Sequence, residues 1–188
     1  MVDRVQLQAP PHTRMTSAEF LALPESNLPM ELLNGEILIV PAPSISHQLV
    51  TGNTFLAVHT LKPDGVAMFA PTDVSFDDEN TVQPDVLWCS VQNKHCIRIE
   101  DQYWQGAPDL IVEVLSPGTG RQDKNAKFKL YEKHGVREYW IADPVHKVLE
   151  VWQLQDGRYV FHGAFGPEDT FESAVLGKPI EVSKIFAV

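Results

Sequence analysis

The sequence predicts an α+β fold, with a mixed β-sheet core flanked by helices and extended by additional β-hairpins. Three observations carry this expectation. An apolar run over 109–115, a helical pattern over 121–134 and a second apolar run over 138–142 form a strand–helix–strand crossover, the connection that lays two strands parallel. Asn34-Gly35 and Asp156-Gly157, dipeptides preferred in tight hairpins, each stand between two apolar stretches. Apolar residues at helical spacing over 45–61 supply another element able to cover a sheet face.

Taken in order, residues 1–15 contain Pro10 and Pro11 and little pattern, so they read as a loose arm before a single domain over 16–188. Thr16-Ser-Ala-Glu19 is a capping box for a short helix reaching Leu23, stopped by Pro24. Met30 to Val40 is a hairpin around Asn34-Gly35. Ser44 caps the helix over 45–61, which Lys62-Pro-Asp-Gly65 ends. Strands follow near 66–70, 73–76, 84–89 and 109–115. The helix over 121–134 is closed by Gly135 and leads to the strand 138–142. Residues 147–153 and 157–164 pair as the last hairpin.

The 188 residues suffice for one domain that buries roughly 70% of its unfolded surface. Composition is 44% hydrophobic and 21% charged, which excludes a disordered or fibrous chain. No apolar run approaches the ~20 residues of a membrane span, and the first residues lack an apolar signal core, so a cytoplasmic protein is expected. Cys89 and Cys96 have neither the spacing of a metal knuckle nor the number of a disulfide framework, and read as ordinary thiols. With 25 acidic against 15 basic residues and a net charge of −10, the chain is a poor candidate for coating nucleic acid by bulk electrostatics. Any such contact must be local or bridged by metal. The basic residues between Arg121 and Arg137 include Lys129 and Lys133, which read as a solvated helix face.

Chemistry concentrates in Pro108-Asp-Leu-Ile-Val-Glu-Val-Leu-Ser-Pro117, where Glu113 interrupts an apolar strand. A buried carboxylate is costly unless it is paired or binds a metal. On the following helix, Ala126, Phe128, Leu130 and Tyr131 all fall within about 100° of Lys127, which puts the lysine at the centre of the buried stripe. Strand alternation puts Glu113 with Ile111 and Leu115 on one face, the face that this helix covers. A third charged group, Asp85, opens another strand in Gln83-Pro-Asp-Val-Leu-Trp88. Two carboxylates and a lysine at one end of a sheet suit metal-assisted phosphodiester hydrolysis. The bland alternatives are a turn aspartate after Pro84 and a structural Glu113–Lys127 ion pair. Tyr131 reads as core with its hydroxyl near the site, Gln83 as pocket lining, and His47 as a helix-packing residue or a base.

The run Gln-Pro-Asp85, Glu113 in its motif, Asp123-x3-Lys127-x3-Tyr131 and Gly135-Val-Arg-Glu-Tyr-Trp-Ile-Ala-Asp-Pro144 resembles the Uma family. Met30-Glu-Leu-Leu-Asn-Gly-Glu36, Pro41-x-Pro43 and His47 match as well, so the likeness extends from about Thr16 to Phe186. These bacterial domains are assigned to the restriction-endonuclease-like, or PD-(D/E)XK, superfamily. The resemblance implies a restriction-endonuclease-like core, with Asp85 and Glu113 as ligands of Mg²⁺ or Mn²⁺, Glu31 as an accessory ligand, and His47, Tyr131 and Gln83 as accessory groups. Leu115 stands where the superfamily pattern has a lysine, and Lys127 matches the helix lysine that replaces it. Two functions follow: a metal-dependent endonuclease or phosphodiesterase acting on DNA, or a catalytically inactive nuclease-like binding or regulatory module, in either case as a homodimer. Two-carboxylate glycoside hydrolysis is disfavoured, because a buried lysine between the acids holds the general acid ionised.

Overall fold

A computed structural model describes residues 14–24, 28–61, 64–116 and 122–187. The arm predicted over 1–15 falls almost wholly outside them, as do Pro117 and the Arg121 end of the basic cluster. Thr16 and Glu19 form the reciprocal capping box that opens α1 (Ser17–Leu21), which stops two residues before Leu23. In the first hairpin, β1 (Met30–Leu33) and β2 (Glu36–Ile39) flank Asn34 and Gly35, both at positive φ as a type I′ turn requires. The Ser44 hydroxyl accepts the His47 N–H and starts α2 (Ile45–Leu61). β3 (Gly65–Phe69), β4 (Val74–Asp77), β5 (Asn80–Val82), β6 (Val86–Ser90), β7 (Cys96–Ile99), β8 (Tyr103–Gly106) and β9 (Leu110–Val114) follow. Beyond them α3 (Gln122–His134) crosses over to β10 (Glu138–Asp143). β11 (Val148–Gln155) and β12 (Arg158–Phe165) form the hairpin around Asp156-Gly157, and β13 (Thr170–Ser173), β14 (Lys178–Glu181) and α4 (Val182–Ile185) complete the order.

The predicted crossover organises the molecule. A central sheet has the order β12-β11-β10-β9-β6-β3, in which β9 and β10 are parallel and every other pair is antiparallel. One face, carrying Trp88, Leu110, Val112, Trp140 and Val151, packs against Val50 and Val58 of α2, Ile180 of β14 and Ile185 of α4. The opposite face, carrying Leu87, Ile111, Tyr139 and Ile141, packs against Leu130 and Tyr131 of α3. Burying a side chain of this size stabilises by roughly 1.5–3 kcal/mol, so both layers are strongly fixed to the sheet.

The second layer is richer than the sequence foretold. A further six-stranded sheet, β2-β1-β5-β4-β8-β7, joins the α3 side of the core through Leu33, Val74, Val82 and Trp104. The sequence reading missed β5, β7 and β8, which are only 3–4 residues long and include Asn80, Arg98 and Gln105. Strands that short have too few residues to show alternation, and their pairing partners decide their conformation. β13, β14 and α4 were missed for the same reason. Among the described residues no helix is long and apolar enough to cross a membrane.

Candidate active site

Each predicted site residue arrives from a different element. β9 alternates as expected, sending Ile111 and Glu113 to the α3 side. α3 presents its stripe to that face, with Lys127 8% exposed, Leu130 6% and Tyr131 fully buried, while Asn125, Lys129 and Lys133 face solvent. Lys127 Nζ donates to Glu113 Oε1 at 3.1 Å and to Glu31 Oε1 at 2.8 Å, and the Tyr131 hydroxyl donates to Glu113 Oε1 at 2.6 Å. Glu31, on β1, is 4% exposed and also accepts the Gln83 N–H at 2.8 Å, so the hairpin acid is a buried member of the site. Glu36, across the turn, is exposed.

Asp85 sits immediately before β6. Its Oδ2 accepts the Val114 N–H at 2.7 Å and lies 3.3 Å from His47 Nε2. The aspartate is therefore tied to β9 one residue beyond Glu113, which disposes of the turn reading. His47 is buried on the first turn of α2, with Nδ1 3.4 Å from Thr51 Oγ1. Gln83 directs Nε2 to Asp73 Oδ1 at 2.9 Å rather than to the acids. Burial pushes the Asp73 carboxyl above its usual range.

The electrostatics are those of several acids sharing too few cations. Burial raises the Glu113 carboxyl, Lys127 and Tyr131 draw it down, Asp85 and Glu31 push it up again, and it settles at about 7. Burial works against the Lys127 ammonium, but Glu113 and Glu31 outweigh it and hold the lysine protonated, above its ordinary value. Burial likewise opposes His47 protonation, and the bond with Asp85 prevails to raise its pKa. All these groups except Tyr131 line one cavity of about 320 Å³.

The donor set offers a divalent cation hard oxygen ligands without a closed cage. Among the described residues no group of three or more His, Cys, Asp or Glu side chains is arranged as a ready metal cage. The reason is visible: Lys127 stands between Glu31 and Glu113, and Asp85 is engaged by Val114 and His47. Mg²⁺, however, is ordinarily held by one or two carboxylates with waters completing the shell, so hard oxygen donors beside an open cavity fit it without a closed cage. The sequence reading missed the cavity walls, including Leu38, Gln48, Pro71 and Tyr139. Nothing local marks these residues as neighbours of the acids, and only the fold brings them together.

Comparison with known proteins bears on the fold and the family. A crystal structure described as a putative nuclease from Anabaena variabilis superposes with a TM-score of 0.75 at 20% identity, over 92% of this chain and 98% of that one, a likeness of fold. No curated protein matches. The model of the Uma2 family, described as "Putative restriction endonuclease", matches residues 17–182, which take in the hairpin acid, Asp85, Glu113 and the α3 lysine, and the chain belongs to that family.

Proposed function

We propose that the protein is a Mg²⁺- or Mn²⁺-dependent phosphodiesterase, an endonuclease acting on DNA. Asp85 and Glu113 hold the cation, Glu31 is an accessory ligand, and Lys127 faces the reacting phosphate. The observation that carries this reading is the surplus of negative charge largely withdrawn from solvent: Glu31, Asp85 and Glu113 are gathered around one lysine, and Glu113 is displaced to about 7. A divalent cation relieves that surplus, and restriction-endonuclease-like proteins in general use one. Bound there, it would supply a nucleophilic water at neutral pH and offset charge on the phosphate.

The chain's own residues complete the roles. Lys127, held protonated, has an ammonium at the cavity edge able to donate to a phosphate oxygen that develops charge. The Tyr131 hydroxyl fixes the rotamer of Glu113, and the Val114 N–H and His47 fix that of Asp85, so both carboxylates are oriented before ligand arrives. A homodimer belongs to the same proposal. Val66, Met68 and Phe69 are exposed on β3, an edge of the central sheet.

The test is calorimetric titration with Mn²⁺ of the wild type, Asp85→Ala and Glu113→Gln, alongside cleavage of DNA. Weak binding by the wild type and none by either variant is expected. Variants that titrate like the wild type would overturn the metal site. The competing reading, an inactive nuclease-like binding module, is favoured by the net charge of −10 and by the lack of a ready cage among the described residues. Metal binding without cleavage of any polynucleotide would decide for it.

A further inference from the structure

The cavity that holds the acids also has an extensive apolar side. Its walls are built by Leu38 and Ile39 of β2, by Pro41 and Pro43 of the segment leading to α2, and by Pro71 after β3, with Gln48 at the rim. Proline φ is fixed, so this wall is shaped before ligand arrives and costs little to order on binding. Ile39 is 55% exposed, an apolar surface that core packing does not explain. Gln48 is exposed and makes no side-chain hydrogen bond to another described residue.

A volume of about 320 Å³ lies at the small end of ligand cavities, which run from about 300 to 1,000 Å³, and is commensurate with one nucleotide. Base-paired DNA presents its charged backbone to a protein and keeps its bases stacked, so it has little to lay against an apolar wall beside its phosphate. An unpaired nucleotide offers both parts. The distribution of cations points the same way. Lys127 is the one lysine or arginine among the described wall residues. Tracking a duplex needs several phosphate contacts, and the described wall offers a single cation for them.

We infer that the Leu38–Ile39–proline wall seats the unpaired base next to the scissile phosphate, so that the substrate is single-stranded nucleic acid or a nucleotide extruded from a duplex. This rests on the phosphodiesterase reading and narrows its substrate. Gln48 at the rim is placed to meet the polar edge of the base.

The experiment compares deoxyadenosine 5′-monophosphate with deoxyribose 5-phosphate by calorimetry on the Mn²⁺-treated protein, and pairs it with cleavage of a single-stranded circle and a closed duplex circle of the same sequence. Burying one face of a base should make the nucleotide bind about tenfold or more tightly than the sugar phosphate. Ile39→Ser combined with Pro43→Ser should remove most of that difference and leave sugar-phosphate affinity and melting temperature unchanged. Equal affinities, or no binding of either compound, overturn the base seat. Duplex cut as fast as the single strand also overturns it, while leaving the phosphodiesterase reading standing. Retained base discrimination with neither circle cleaved fails that reading and supports the seat. A duplex with one mismatch, cut at the mismatch as readily as single strand, identifies an extruded nucleotide, and resistance there identifies single-stranded substrate.

Discussion

Glu138, buried, and Glu113, largely buried, stand on the adjacent parallel strands β10 and β9, and their surroundings differ in kind. Glu138 is wholly shielded, with Oε1 accepting the Trp140 indole N–H at 2.7 Å and Oε2 accepting the N–H groups of Ala174 at 2.7 Å and Val175 at 3.2 Å. Neutral donors saturate it, and it fastens the start of the β13–β14 turn to the central sheet. Glu113 points to the opposite face, where an ammonium and a phenol serve it, two further acids crowd it, and the cavity reaches it. A buried acid alone does not make a site. Excess charge together with access distinguishes the candidate site carboxylate from the structural one.

The sharpest way to break this contrast is to remove each anchor in turn. Glu138→Ala leaves the buried Trp140 indole N–H and the turn N–H groups of Ala174 and Val175 without their acceptor and opens a cavity where the stem was, so the expected loss in urea denaturation is on the order of 5 kcal/mol. Neither Mn²⁺ nor acid should restore it. Substantial recovery with Mn²⁺ would show that Glu138 shares in a metal site and erase the distinction.

Lys127→Met is expected to cost the metal-free protein about 3–5 kcal/mol, because it strands acids that share one cation. Here pH matters. Glu113 has its native pKa raised from 4.5 to about 7, so the native state binds that proton more tightly than the unfolded chain does. The associated stability is fully present below about pH 4.5 and is lost as pH rises through about 7. Without the lysine the window extends further upward. The variant should melt well below wild type at about pH 8, regain part of the loss at about pH 5.5 or with Mn²⁺, and lose any nuclease activity. A deficit equal at both pH values would refute the shared-charge picture.

How much of this was legible in the sequence depends on whether the determining contacts are local. The Asn34-Gly35 turn, the Ser44 cap and the Lys127 stripe depend on neighbours within a turn or two, and all three form as read. Glu113 stood out because its strand is apolar on both sides. Glu138 escaped notice because it opens its strand beside Arg137, where an acid ordinarily faces solvent. Glu31 beside a hairpin turn carries no local sign of burial, since only the pairing of β1 with β5 and the approach of α3 bury it. The second six-stranded sheet and the proline wall are products of long-range pairing, for which short polar strands and loop prolines carry no local signal.

Tyr131→Phe refines the comparison from the other side. The ring keeps its place in the core beside Phe76 and Tyr139, and only the hydroxyl at 2.6 Å from Glu113 is lost. A hydrogen bond to a charged acceptor is worth about 1.5–3 kcal/mol, and retained packing puts the expected cost near the lower figure. Because the hydroxyl favours ionised Glu113, its removal pushes that carboxyl higher still. The deficit should be largest above about pH 7 and shrink in acid, where Glu113 is protonated in both proteins. A cost independent of pH would mean that the hydroxyl serves packing alone.

The smallest effect is expected at Lys129, two residues from Lys127 on the same helix. A step of two positions turns the helix by about 200°, which carries the side chain from the sheet to solvent, and Lys129 is exposed. No ion pair joins it to another described residue. Lys129→Met removes the same charge and adds the same thioether as the change at Lys127, so the two variants differ only in what surrounds the position. The expected change in stability is below about 0.5 kcal/mol, flat across pH and indifferent to Mn²⁺. Matched thermal melts of the two variants in the same buffers check it. A pH-dependent loss at Lys129 comparable to that at Lys127 would place the helix face wrongly and dissolve the proposed site, because the acids would then answer to net charge rather than to one buried ammonium.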